Sequence, residues 1–88
     1  MLFRSPRPIE KKIEIIIRKI VEEKTYQINN TSTVLDLKVE VAKSFFNDII
    51  EPNTIRFFYG GKELKENNEL WKYNIESGSI IQMMLKLN

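Results

Sequence analysis

One stretch of this 88-residue chain repeats with a helical period, and that single helix limits how everything else can pack. Val34, Leu37, Val41 and Phe45 are spaced i, i+3, i+7, i+11, which makes one buried stripe. Thr33 and Asp36 fit the S/T-x-x-D/E capping pattern, so Thr33 is the expected N-cap. Pro52 bars continuation, and the helix is expected to end near Phe46 or Asn47. The flanking runs are β-branched and aromatic: Ile13 to Arg18, Ile55 to Tyr59, and Ile80 to Leu87. Lys24 to Ile28 reads as the return strand of a first hairpin, after a polar turn at Glu22-Glu23-Lys24. Gly60-Gly61 closes the third strand, and Lys62-Glu63-Leu64 is a short return. Lys65 to Glu69 is loop, Leu70 to Tyr73 one 3₁₀-like turn, and Glu76 to Ser79 another turn. The order β-β-α-β-β-β belongs to the α+β class. One helix cannot cover both faces of a mixed four- to five-stranded sheet, so the second face must meet water or a partner.

The residue inventory narrows the chemistry. The chain has no cysteine and no histidine, which removes thiol nucleophiles, disulfides, zinc-thiolate sites and the commonest general base. Glu22 and Glu23 are neighbours in sequence, a placement that does not converge two carboxylates on one substrate atom. A non-enzyme without metal or cofactor is expected. The net charge is +2, and residues 1–12 carry Arg4, Arg7, Lys11 and Lys12 against Glu10. That segment, with Pro6 and Pro8, reads as a flexible basic arm ahead of a domain at 13–88. The rest of the chain is close to neutral, which argues against nucleic acid as the main partner. No apolar run approaches the roughly 20 residues that span a bilayer, and no signal-peptide core is present. A soluble monomer of the cytoplasm or nucleus is expected.

Strand alternation divides the side chains between two faces. Ile13, Ile15 and Ile17, then Ile55, Phe57 and Tyr59, then Ile81, Met83 and Leu85 point toward the helix. That leaves Ile16, Phe58, Ile80 and Met84 on the other face with Gln82, rimmed by Arg18, Arg56 and Lys86, and Ile20 in the first hairpin extends it. Adjacent apolar groups on an open sheet face mark a contact surface.

The run Phe57-Phe58-Tyr59-Gly60-Gly61-Lys62-Glu63-Leu64, then Leu70, then Tyr73-Asn74-Ile75, then alternating Ile81, Met83, Leu85 and Leu87, resembles the ubiquitin-like domains. The likeness runs from about Ile13 to Leu87 and implies a β-grasp roll. It also implies that Tyr73 ties down the Lys65–Glu69 loop, and that Phe58, Met84, Gln82 and Ile20 stand where ubiquitin carries its main hydrophobic recognition patch. Phe58 is bulkier than the aliphatic residue of ubiquitin, and Gln82 replaces a histidine. The implied partners are helical ubiquitin-binding domains and proteasomal ubiquitin receptors, or proteasome and chaperone factors, with Arg56 and Lys86 orienting an acidic one. Lys62 matches a lysine used for chain linkage, and reads here as a solvated charge beside the turn. Trp71 next to core Leu70 is expected to point outward with partial burial. Gly60-Gly61 is internal and serves a turn, and the sequence ends Leu85-Lys86-Leu87-Asn88 where a modifier tail would begin. A non-conjugating interaction module is therefore expected. The alternatives are a covalent modifier made from a longer precursor and a nucleic-acid-associated domain.

Overall fold

The computed structural model describes residues 8–86. Five strands form one mixed sheet in the order β2-β1-β5-β3-β4: β1 (Lys12–Lys19), β2 (Glu22–Asn29), β3 (Ile55–Tyr59), β4 (Lys62–Glu63) and β5 (Ile80–Leu85). β1 pairs antiparallel with β2 and parallel with β5, while β3 is antiparallel to both β5 and β4. The helix α1 (Val34–Phe46) lies across one face, as a β-grasp roll requires. Ile13, Ile15, Ile17, Ile55, Phe57, Ile81 and Met83 of the sheet are buried with Val34, Leu37, Val41 and Ala42 of the helix. Leu64, Leu70 and Ile75 close the core from the connecting segments. Large apolar side chains of this kind each contribute roughly 1.5–3 kcal/mol when fully buried.

Helix α1 begins where the capping pattern predicts. Thr33 Oγ1 accepts from the Asp36 amide at 3.1 Å, and Asp36 Oδ2 accepts from the Thr33 amide at 3.1 Å. The two preceding amides of the first turn go to the loop before the second 3₁₀ turn: Val34 N donates to Asn68 O and Leu35 N to Glu66 O. The orphan donors of the N-terminus are thus satisfied from outside the helix. Tyr73 holds that loop in place, its hydroxyl accepting from the Lys65 amide at 2.9 Å and from Asn68 Nδ2 at 2.8 Å. The C-terminus stops for a local reason: Asn47 and Asp48 both adopt left-handed φ values, and the Asp48 amide donates to Ala42 O at 2.8 Å. Pro52 is therefore not the stop that was expected; it opens a 3₁₀ turn, Pro52–Thr54, that leads into β3.

Two boundaries differ from expectation. The first hairpin turns at Ile20-Val21, so Glu22, Glu23 and Lys24 belong to β2 and not to a polar turn. The hydrophobic pair sits at a reversal because Lys19 and Glu22 already pair across it, which leaves two residues to turn the chain. At the other end, the expected boundary between 12 and 13 falls inside β1. Glu10 and Lys11 are joined to the end of β2 and the residue after it: Asn29 Nδ2 donates to Glu10 Oε2 at 2.8 Å, and the Lys11 amide donates to Asn30 Oδ1 at 2.9 Å. The rest of the expected arm, residues 1–7, lies outside the described residues, as does Leu87.

The helix face also contains a charge that its periodicity hides. Lys38 follows the stripe at i+4 from Val34 and is buried, with Nζ 3.1 Å from Glu66 Oε2. Glu66 is partly exposed, so the pair reaches from the core edge to solvent.

Candidate functional site

The sheet face away from α1 is built from residues that sit directly opposite one another. Arg18 pairs with Glu23 on one side and with Gln82 on the other; Phe58 pairs with Gln82 and with Glu63. Directly opposed residues project on the same side of a sheet. Glu23, Arg18, Gln82, Phe58 and Glu63 therefore form one row across all five strands. Ile16 opposite Ile80 flanks the row on one side, and Arg56 opposite Met84 flanks it on the other. Met84 is 54% exposed and Ile80 38%, Gln82 is exposed, and Ile16 and Phe58 are half-buried.

Phe58 is half-buried because Arg56 lies over it, the guanidinium carbon 5.0 Å from the ring centroid. Glu63 fixes that arginine with two hydrogen bonds: Nε donates to Oε2 and the terminal nitrogen to Oε1, each at 3.0 Å. The fork-shaped guanidinium matches both carboxylate oxygens at once. This bonding holds the Glu63 carboxyl below the usual carboxylate range and raises the Arg56 guanidinium further. On the far side of Gln82 a second arginine is paired, Arg18 Nε donating to Glu23 Oε2 at 2.6 Å. Lys86, beyond Met84, is exposed and makes no ion pair among the described residues.

Carboxylates stand among the cations of the expected rim. Arg18 and Arg56 are each bound to a carboxylate, and the face carries four cations (Lys12, Arg18, Arg56, Lys86) against three anions (Glu14, Glu23, Glu63). Glu63 has a signal in the sequence, since alternation across a two-residue Gly-Gly turn puts it opposite Phe58. Glu23 was obscured by the misplaced first turn.

Of the other residues singled out, Ile20 stands at the first turn position with φ 58° and is 82% exposed. β1 and β5 run parallel, so Ile20 lies two residues beyond Arg18 as Met84 lies two beyond Gln82. The hairpin turn thus ends on the Met84 side of the face. Trp71 is half-buried, as expected, and its Nε1 donates to Glu69 Oε1 at 2.6 Å. It borders a cavity of about 330 Å³ shared with Pro8, Ile13, Asn30 and Ile75, remote from the row above. Lys62 flanks the Gly60-Gly61 turn and is exposed; Gly60 and Gly61 have φ values of 62° and 81°, which glycine adopts without strain. Among the described residues no group of three or more His, Asp or Glu side chains is arranged to hold a metal, and no helix is long and apolar enough to cross a membrane.

A mixed five-stranded sheet wrapped on one capped helix, with its other face open, defines a ubiquitin-like β-grasp domain. Residues 15–88 match the model of the ubiquitin family, and the chain belongs to that family. It is also similar to the E3 ubiquitin-protein ligase UHRF1 of Danio rerio, with 27% identity over 75 residues. That match covers 82% of this chain and 9% of the ligase, so the chain spans a small fraction of that relative.

Proposed function

We propose that this domain is a protein-interaction module that docks without covalent attachment, through the sheet face carrying Phe58, Met84, Gln82, Ile80 and Ile16, on helical ubiquitin-binding domains and proteasomal ubiquitin receptors of the cytoplasm or nucleus. The observation that carries this reading is the adjacency of Met84, Ile80, Ile16 and Phe58 on a face that α1 leaves uncovered. Contiguous apolar groups that a chain of this size leaves in water are the usual mark of a partner surface. Ubiquitin-family membership supports a recognition role, since the fold is an interaction scaffold in general.

The mechanism is burial of one partner helix. Phe58 and Met84 each supply roughly 1.5–3 kcal/mol if wholly removed from water. A patch of this size, at the small end of specific interfaces, gives affinities of the order of micromolar. Ile20 adds a further aliphatic contact from the hairpin turn. Arg56 and Lys86 orient the partner, with Arg56 acting through its seat over the Phe58 ring.

Binding to a helical ubiquitin-binding domain tests the reading. Phe58→Ala and Met84→Ala are each expected to weaken it by at least about ten-fold, equivalent to about 1.4 kcal/mol, while the amide spectrum stays that of a folded protein. Unchanged affinity in both variants would remove the face from consideration.

A further inference from the structure

The sheet has two edges, and one of them is long. β4 closes it with two residues, whereas β2 presents eight, with neither Pro nor Gly and an unbroken register against β1. On β1 the even-numbered residues bond toward β5, with Ile16 N donating to Ser79 O and Gly78 N to Glu14 O. The odd-numbered residues of β1 therefore bond to β2, where their partners are Glu22, Lys24, Tyr26 and Ile28. The amides and carbonyls of Glu23, Thr25 and Gln27 point the other way, off the sheet, and make no hydrogen bond among the described residues. Exposed edges are usually blunted by Pro, by a bulge or by an outward lysine. Here Lys24 folds back instead, its Nζ donating to Ser44 O at 2.7 Å and lying 5.0 Å from the Phe45 ring centroid. Beside the edge, a cavity of about 410 Å³ opens between β2 and α1, with Ile28, Asp36, Val39 and Glu40 in its wall.

We propose that this edge is a further binding site, at which an extended segment of a partner protein adds to the sheet as one more strand beside β2. The site does not depend on the open face: it uses main-chain groups of β2 and the groove on the helix side of the sheet. Two groups on each of Glu23, Thr25 and Gln27 are available to an antiparallel strand, the slightly more stable pairing. Residues of the segment directly opposite Tyr26 and Ile28 project toward α1, as those two do. The one beside Ile28 meets Val39, which is 37% exposed, and favours a β-branched apolar side chain. The one beside Tyr26 meets Glu40, since Tyr26 bonds to Ser44 and Glu40 stands one turn before it. Glu40 is exposed and makes no ion pair among the described residues, and Asp36 adds a second negative charge to the same wall, so this position favours Lys or Arg. Of the other charges nearby, Lys24 is turned to Ser44, Glu22 lies at the hairpin end, Lys43 is in the last turn of α1, and Lys12 points to the open face. A second copy of the chain fits the edge less well. Paired with itself about Thr25 or Tyr26, β2 brings the two Glu40 carboxylates toward each other.

A synthetic peptide of about nine residues, alternating Thr with Val, Lys and Val, provides the probe. Amide-shift titration and hydrogen exchange on the whole chain read its binding. Saturable shifts are expected on β2 and on Asp36, Val39 and Glu40, with a dissociation constant below about 1 mM. The amides of Glu23, Thr25 and Gln27 are expected to exchange rapidly without peptide and to become protected with it. In the antiparallel pairing the Thr amides of the peptide point at β2 and its Val and Lys amides point away. N-methylation of the Thr amides is therefore expected to abolish binding, while N-methylation of the others changes it less than about three-fold. Replacing the peptide's Lys by Glu is expected to weaken binding about three-fold, and Glu40→Gln to remove that difference. Thr25→Pro takes away one edge donor without touching a bond to β1, and is expected to weaken binding at least about five-fold. If Thr25→Pro does not fold, the two N-methylated peptides decide. Shifts centred on Phe58 and Met84, equal effects of the two N-methylation patterns, or no binding by any peptide overturns the proposal. Protection of the β2 edge without peptide, in a particle of doubled mass, assigns the edge to a second copy and overturns it too.

Discussion

Glu63 illustrates how much one side chain decides on this surface. Its carboxylate holds Arg56 across Phe58, and the hydrogen bonds from Arg56 lower its pKa. A depressed carboxylate contributes to the folded state above the ordinary glutamate pKa, and that contribution disappears as the pH falls through the folded value. Carboxyl-carbon NMR titration is expected to find Glu63 titrating below the usual carboxylate range, and to find it higher in Arg56→Ala. Ile20 makes the opposite kind of statement. A β-branched residue at φ 58° is held in a region that costs about 1–2 kcal/mol. Ile20→Asn is expected to raise unfolding stability by roughly 1 kcal/mol in denaturant titration, because asparagine tolerates that conformation. The same change is expected to weaken partner binding, because it removes an aliphatic group that is 82% exposed. Stability gained where binding is lost is the pattern of a position kept for contact, whereas Ile20→Asn leaving both unchanged would assign it no role.

Among the elements, helix α1 was the most legible in sequence, since its stripe, cap and length follow from spacing and from one Thr-x-x-Asp pattern. Thr33→Ala is expected to cost about 1 kcal/mol in denaturant unfolding, the usual loss for a side-chain N-cap. What spacing did not disclose is Lys38, because a charged residue on the core side breaks the pattern rather than extending it. Its partner Glu66 lies in a loop 28 residues away, and no local rule connects the two. Glu66→Gln is expected to destabilise the fold by about 1–3 kcal/mol, since the buried ammonium loses its counter-charge, whereas Lys38→Met is expected to stay within about 1 kcal/mol of wild type. The opposite ranking would show that the ammonium is needed for itself. The first hairpin was misread for a related reason. Turn chemistry favours polar residues, and Ile20-Val21 carries none, so the polar Glu22-Glu23-Lys24 drew the turn two residues too far along. That shift took Glu23 out of the strand and hid its pairing with Arg18.

For the whole molecule, the division into a covered and an open sheet face follows from having one helix and five strands, and period-two alternation already named the apolar residues on each side. Their electrostatic setting was not readable in the same way, because it depends on register across strands that are distant in sequence. Phe58 meets Gln82 from 24 positions away, and Arg18 meets the same glutamine from 64. Only with those pairings in place does the row from Glu23 to Glu63 exist, and with it the carboxylates set beside Arg18 and Arg56. The central claim is that this face, and no other part of the domain, receives a partner helix. Amide-shift mapping during titration with a helical ubiquitin-binding domain tests it most directly. The account predicts that the largest shifts fall on Ile16, Arg18, Arg56, Phe58, Ile80, Gln82 and Met84, with α1 and the Trp71 cavity unaffected. Shifts centred on α1 or around Trp71, with the open face silent, would contradict it.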